Sequence, residues 1–251
     1  MVDASGRRVE ALVFAGGVGR RMGAGSRPKQ FLELGGRPII DYTLAHFAEH
    51  PIVDHIVVAC LESWMDYLRR IVERRHYPVP IDIVAGGSTG QESIFLGLNH
   101  LHEMHPGDES AIVLVHDGVR PLITEDTISD CARVTAEFGA CAVVGPCTET
   151  IIVNGEGATV ERALERDACS LARAPQGALT ETLWRAHMAA RRDGLEFIDS
   201  ISMLAHFGHT SHTVEGPPEN IKVTTPLDYY AFKGYMDARD QRMLWEGVSR
   251  V

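Results

Sequence analysis

Positive charge is scarce in this 251-residue chain: 24 Lys and Arg stand against 34 Asp and Glu, a formal net charge of −10. A long nucleic-acid backbone calls for a basic surface, so that class of partner is disfavoured. A small anion is not, because a few local cations reverse the field inside one pocket. No apolar run approaches the roughly 20 residues that span a bilayer. Residues 1–10 are too polar for a signal peptide. The five cysteines, Cys60, Cys131, Cys141, Cys147 and Cys169, include no CxxC pair, and their odd number argues against a disulfide framework. Four of them sit among apolar or small residues and read as reduced core thiols. These absences point to the cytoplasm. Repeats and low-complexity linkers are also missing, and the length suits one α/β domain over 1–251.

What is present is an alternation. Apolar runs at 9–15 (VEALVFA), 55–60 (HIVVAC), 81–85, 111–116 (AIVLVH) and 140–145 (ACAVVG) read as buried strands. Helical spacing fills the gaps at 39–49, 63–75, 91–102 and 125–138. This rhythm predicts a doubly wound, mostly parallel sheet with helices on both faces. It breaks after Pro146. Residues 150–153 and 158–164 read as two extended arms about the turn sequence Asn154-Gly155-Glu156-Gly157, a protruding β-hairpin over about 147–165. Such a hairpin is marginal alone, which argues that it packs on a second subunit. A helix at 180–191, a strand at 212–215 and a C-terminal helix from near Pro226 complete the reading.

Chemistry concentrates where strands end. Directly after the first strand comes Phe14-Ala15-Gly16-Gly17-Val18-Gly19-Arg20-Arg21-Met22-Gly23, then Pro28-Lys29-Gln30. Glycines let backbone N–H groups close on a phosphate chain, and Arg21 and Lys29 add charge suited to a triphosphate. Two familiar phosphate motifs fail: GxGxxG lacks its third glycine, and GK[ST] does not occur. Gly86-Gly87-Ser88-Thr89-Gly90-Gln91-Glu92-Ser93 suits contact with a base, ribose or phosphate, and equally a helix start capped by Ser88 or Thr89. His116-Asp117-Gly118-Val119-Arg120-Pro121 lies at a strand's carboxyl end, where open sheets bind ligands. Asp117 there suits Mg²⁺, directly or through water, and Arg120 a substrate phosphate; a plain Asp–Arg pair in a turn is the alternative. Arg166, Ala174-Pro175-Gln176, Asp199 with Ser200 and Ser202, and Glu219-Asn220-Ile221-Lys222-Val223-Thr224-Thr225-Pro226 follow. Lys222 matters only if it faces the same pocket, since such a lysine is more often a snorkelling surface residue. The histidines at 100, 102 and 105, and at 206, 209 and 212, fit no familiar zinc spacing.

FAGGVGRRMG with PKQ, GGSTGQES, HDGVRP, APQ and ENIKVTTP, in this order, resemble the cytidylyltransferases that make CDP-alditols. That family includes enzymes acting on 2-C-methyl-D-erythritol 4-phosphate in isoprenoid synthesis and on ribitol 5-phosphate for wall and capsule polymers. The resemblance runs from about residue 11 to 231. It implies a Rossmann-like nucleotidyltransferase fold, a homodimer whose β-arms exchange contacts, and Mg²⁺ bridging the CTP phosphates. It also implies site residues. Ala15, Gly16, Gly17, Gly19, Arg21 and Lys29 match positions around the phosphates of CTP; Gly87, Ser93, Asp117 and Gly118 match those around cytidine and ribose. Asp117 and Arg120 match positions near the acceptor, and Thr150 and Arg166 match arm residues that reach the acceptor phosphate in the partner subunit. Lys222 matches a second lysine at the reacting phosphate.

The departures favour ribitol 5-phosphate. Ile198 stands where methylerythritol-phosphate enzymes usually carry threonine, and the GGVG and HDGVRP spellings look more like the ribitol branch. The implied reaction needs no general base, because the acceptor phosphate is already anionic. Arg21, Lys29 and Lys222 would stabilise the transition state. Methylerythritol phosphate is the alternative acceptor. A non-catalytic nucleotide sensor is the alternative class, disfavoured because a sensor needs no two transition-state lysines.

Overall fold

The computed structural model describes residues 6–16 and 27–248, with side chains as far as 241. The first strand, β1 (Val9–Ala15), is apolar almost throughout and lies at the heart of the main sheet. Alternate residues of a strand face opposite sides. Accordingly Val9, Ala11, Val13 and Ala15 join one hydrophobic cluster, and Leu12 joins the other.

A small hairpin, β2 (Glu33–Leu34) and β3 (Arg37–Pro38), leads into helix α1 (Ile39–Ala48). Strand β4 (His55–Cys60), helix α2 (Met65–Arg75), strand β5 (Ile81–Ala85) and helix α3 (Gly90–Met104) follow. Next come strand β6 (Ile112–Asp117), helix α4 (Glu125–Phe138) and strand β7 (Ala140–Pro146). The predicted helix at 125–138 is reproduced to the residue. Thr124 caps it through its side chain, and Gly139, in the left-handed conformation, ends it.

Beyond β7 lie β8 (Ile152–Asn154), β9 (Val160–Ala163), β10 (Ser170–Leu179) and helix α5 (Thr180–Asp193). Helix α6 (Ser200–His206), strand β11 (His212–Glu215) and helix α7 (Pro226–Val248) close the chain.

Seven strands form the main sheet in the order β11-β7-β10-β6-β1-β4-β5. The pairs β6–β1, β1–β4, β4–β5 and β11–β7 are parallel, and β10 runs antiparallel to both neighbours. The chain moves outward from β1 through β4 to β5, then returns to place β6 on the other side of β1. A sheet of this kind opens a crevice at such a switch point, beyond the carboxyl ends of the strands. Here those ends are Phe14–Gly16 and Asp117–Gly118, joined by a hydrogen bond from Gly118 N to Phe14 O at 3.1 Å. Helices α1, α2 and α4 cover one face of the sheet and α3, α5 and α6 the other. Gly97 lets α3 lie close on β1: a Cβ there would stand 2.2 Å from Leu12 Cδ1.

The β2–β3 hairpin and helix α6 are not read from the sequence, and two further elements depart from it in ways that bear on the site. Strand β10 carries Arg173, Pro175 and Gly177 and does not read as a strand, yet it occupies the middle of the sheet. Its register against β7 shifts between Ala172 and Gln176, so Pro175 falls at an irregularity, where a missing N–H is tolerated. The predicted hairpin exists as the separate pair β8–β9, but its turn runs from Gly155 to Thr159, longer than expected. Gly157 and Ala158 both adopt positive φ there and push the second strand's start to Val160. All five cysteines are free, four of them buried. Among the described residues no helix is long and apolar enough to cross a membrane.

Candidate active site

Two hollows meet at the switch point. The larger, about 360 Å³, is lined by Arg120, Arg173, Gln176, His187, Ile198 and Asp199 among others. The smaller, about 140 Å³, is lined by Ala15, Gly16, Lys29, Ser88, Thr89 and Ser93. Phe14, Gly90, Asp117 and Lys222 border both. Lys29 and Lys222, from opposite ends of the chain, therefore face one cradle.

Asp117 organises the shared wall. It ends β6 and is almost fully buried. Its Oδ1 lies 2.6 Å from Lys222 Nζ, and its Oδ2 accepts from Arg120 Nε at 2.8 Å. Burial pushes the carboxyl up, but Lys222 and Arg120 together outweigh it and hold the pKa at about 2. The loop bearing Lys222 is stitched to this strand end. Arg120 Nη1 donates to Asn220 O at 2.9 Å, and Val223 N donates to Val119 O at 2.9 Å. The fully buried Asn220 donates from Nδ2 to Ala174 O at 2.7 Å, tying the loop to β10 as well. The Lys222 ammonium also stands 5.9 Å from the centre of the Phe14 ring.

The smaller hollow is framed by short polar links. Gln30 Nε2 donates to Ala15 O at 2.6 Å and fixes the exit of β1 beside the turn carrying Lys29. Lys29 also acts on the Asp228 carboxylate, which accepts from Thr224 N and Thr225 N at the start of α7. Ser93 Oγ accepts from Gly87 N at 3.0 Å and donates to Thr89 O at 2.8 Å. Gly16 leaves that hydroxyl room, for a Cβ there would sit 2.6 Å from it. Thr89 caps α3, accepting from Glu92 N at 3.1 Å, so the capping alternative holds alongside the lining role. The Asp–Arg pair likewise exists and lines the hollow. An acidic chain has thus gathered Lys29, Lys222, Arg120 and Arg173 around Asp117 and Asp199, a surplus suited to anionic ligands.

Residues 9–238 match the family model described as IspD: 2-C-methyl-D-erythritol 4-phosphate cytidylyltransferase. The chain belongs to this cytidylyltransferase family. It is therefore a nucleotidyltransferase. It is 40% identical over 231 residues to a ribitol-5-phosphate cytidylyltransferase of Vibrio parahaemolyticus, covering 92% of this chain and 96% of that one. It is 38% identical to a 2-C-methyl-D-erythritol 4-phosphate cytidylyltransferase of Geotalea uraniireducens, covering 91% and 97%. The crystal structure of 4-diphosphocytidyl-2C-methyl-D-erythritol synthase from Anaerococcus prevotii superposes with a TM-score of 0.80 at 24% identity, over 92% of this chain and 99% of that one, and shows the shared fold.

Within this cytidylyltransferase, Ala15, Gly16, Lys29, Ser93, Asp117 and Lys222 come together as expected, and Arg120 joins them in the larger hollow. Gly87 backs Ser93, and Gly118 packs against Ala15, where a Cβ would stand 3.2 Å from that of Ala15. Gly17, Gly19 and Arg21 lie outside the described residues. Thr150 and Arg166 are exposed on the arm and line neither hollow of their own chain. Asp117, expected to hold Mg²⁺, spends both oxygens on cations, and among the described residues no three His, Cys, Asp or Glu side chains cluster as a metal site. Arg173 and His187 were not anticipated. Arg173 lies inside a strand the sequence conceals. His187 shares the buried face of α5 with Leu183, Ala186 and Ala190, and that break in an apolar stripe was its one visible signal.

Proposed function

We propose that this enzyme transfers CMP from CTP to ribitol 5-phosphate in the cytoplasm, giving CDP-ribitol and pyrophosphate. The observation that carries this reading is the pair of hollows meeting at Lys222 and Asp117, the smaller bordered by Gly16, Lys29 and Ser93 and the larger a largely apolar pocket into which Arg120, Arg173 and Lys222 bring positive charge. CTP would lie in the smaller hollow and extend along Gly16 and Lys29. The acceptor would occupy the larger. A phosphate oxygen of the acceptor attacks the α-phosphorus in line; the bond from that phosphorus to the bridging oxygen of the β-phosphate breaks, and pyrophosphate leaves. No side chain need remove a proton. Lys222, aimed by Asp117, sits where charge accumulates, with Lys29 and Arg21 proposed to serve the departing phosphates.

Magnesium would enter with CTP as part of the substrate and neutralise charge on the triphosphate. The residues fit that role better than a resident metal centre, since among the described residues Asp117 supplies the one carboxylate on the shared wall and already balances two cations. We further propose that the enzyme is a homodimer through the 147–165 arm, which would carry Thr150 and Arg166 to the partner's acceptor. The exposed apolar side chains of Ile152, Val160 and Leu171 support this.

Ile198 supports the choice of acceptor. It stands 95% exposed at the larger hollow and offers no hydroxyl there. Methylerythritol phosphate is the second reading, favoured by the relative from Geotalea. Parallel assays of pyrophosphate release from CTP with each alditol phosphate separate the two. Faster turnover of methylerythritol phosphate overturns the first, and CTP binding without release from either supports a sensor.

A further inference from the structure

Arg173 sits on β10 at the wall of the larger hollow, on the side away from Lys29. Gly145 of β7 makes room for it: a Cβ at that position would lie 2.5 Å from Arg173 Nε and 2.7 Å from Cζ. One guanidinium nitrogen, Nη1, donates to Pro217 O, which fixes the head group over the β7 backbone. Among the described residues no carboxylate forms an ion pair with it; Glu219 is the acidic group nearest in effect. Burial, then the like charge of Arg120, push its pKa down. Arg120, on the same hollow, spends Nε on Asp117 and Nη1 on Asn220 O, and keeps Nη2. Two guanidinium groups thus face one cavity, repel each other, and retain unspent donors. A fork of this kind matches a phosphate dianion in shape and charge.

We propose that Arg173 is the acceptor-phosphate anchor supplied by the chain's own subunit, gripping with Arg120 the phosphate whose oxygen attacks CTP. This rests on the functional reading above and deepens it. Such a phosphate would lie in the larger hollow beside Lys222, where that hollow opens on the nucleotide cradle. Arg173 then positions the nucleophile, and the arm's Arg166 is not its sole cation. Phosphate chemistry at this spot has two sources, the acceptor and the CTP chain, and the test separates them.

The experiment compares wild type, Arg173→Gln and Arg173→Lys. Inorganic phosphate is titrated by calorimetry, and initial rates are measured against CTP and ribitol 5-phosphate in turn. Wild type should bind phosphate in competition with the alditol phosphate and not with CTP. Arg173→Gln should lose that binding and raise the acceptor KM about 10- to 100-fold, the scale of one charge-assisted contact, with the CTP KM unchanged. Arg173→Lys, which keeps the charge without the fork, should fall between. Unchanged phosphate binding and acceptor KM in a folded Arg173→Gln overturn the proposal, as does a rise confined to the CTP KM. Should Arg173→Gln fail to fold, Arg173→Lys decides alone, and a wild-type acceptor KM there counts against the proposal. A wild type that turns over neither alditol phosphate, while phosphate binding still depends on Arg173, overturns the functional reading and leaves the anion site standing.

Discussion

Lys222 Nζ stands 2.6 Å from Asp117 Oδ1, joining a loop near the end of the chain to the central strand β6 at the wall between two hollows. Asp117 is held ionised by that contact and by Arg120, so the ammonium is aimed before any substrate arrives.

Lys222→Ala and Lys29→Ala should each cut turnover at least about 100-fold, by analogy with loss of one oriented charge donor. Lys29→Ala should keep a melting temperature near wild type, whereas Lys222→Ala should lower it, because it leaves the buried Asp117 carboxylate with Arg120 as its one cation. Pyrophosphate release and thermal unfolding check both halves; near-normal turnover removes that lysine from its role.

Asn220→Ala attacks the same arrangement through its support. It strips the donor from Ala174 O, and a buried carbonyl left without a partner costs about 1–3 kcal/mol. Urea unfolding should show that loss. Turnover should fall as well, because the segment that receives Arg120 and carries Lys222 loses its tie to β10.

Two buried histidines set an acid limit. His116 and His187 are each pushed down to about 4, by burial first; nearby Asp117 opposes the shift at His116, and the charge of Arg191 adds to it at His187. Between about pH 6.5 and 4 the unfolded chain binds protons that these folded rings refuse, so stability falls as pH falls. Buried Glu10, raised to about 7 chiefly by desolvation, works in the opposite sense over the same range. The clean measurement is therefore a difference. His187→Leu should flatten the loss between pH 6.5 and 4 by up to about 3 kcal/mol. Parallel curves for variant and wild type would contradict a neutral buried ring.

The proposed dimer predicts complementation. Arg166→Ala and Lys222→Ala should each be inactive alone. Mixed and reassociated, half the dimers pair one of each, with one site intact, so about a quarter of wild-type activity should return. Ile152→Asp with Val160→Asp should give monomers in sedimentation and abolish the recovery. No recovery from a reassociated mixture would mean that Arg166 serves its own subunit or none.

The parallel core was legible because its strands are unbroken apolar runs, and β1, β4 and β6 could hardly be read otherwise. Strand β10 was not, since Arg173, Pro175 and Gly177 each argue against a strand and only the register shift near Pro175 reconciles them with one. Helix α6, seven residues capped by Asp199, is too short for its period to show; the sequence displays its start as a polar cluster. Within the site, Lys29 stood out because it follows the glycine cluster, whereas the residues around Lys222 read as surface and only the family resemblance assigned it. Arg173 and His187 are hidden because each occupies a regular element whose pattern explains most of its neighbours.

Strand β7 runs into the arm and β10 returns from it, and the two stay paired up to Pro146 and Ser170. The ribbon is therefore rooted in neighbouring strands, one of which carries Arg173 and the other the glycine beneath it. In the proposed dimer, a partner holding the tip would therefore bear, through covalent backbone, on the two strands that floor the larger hollow.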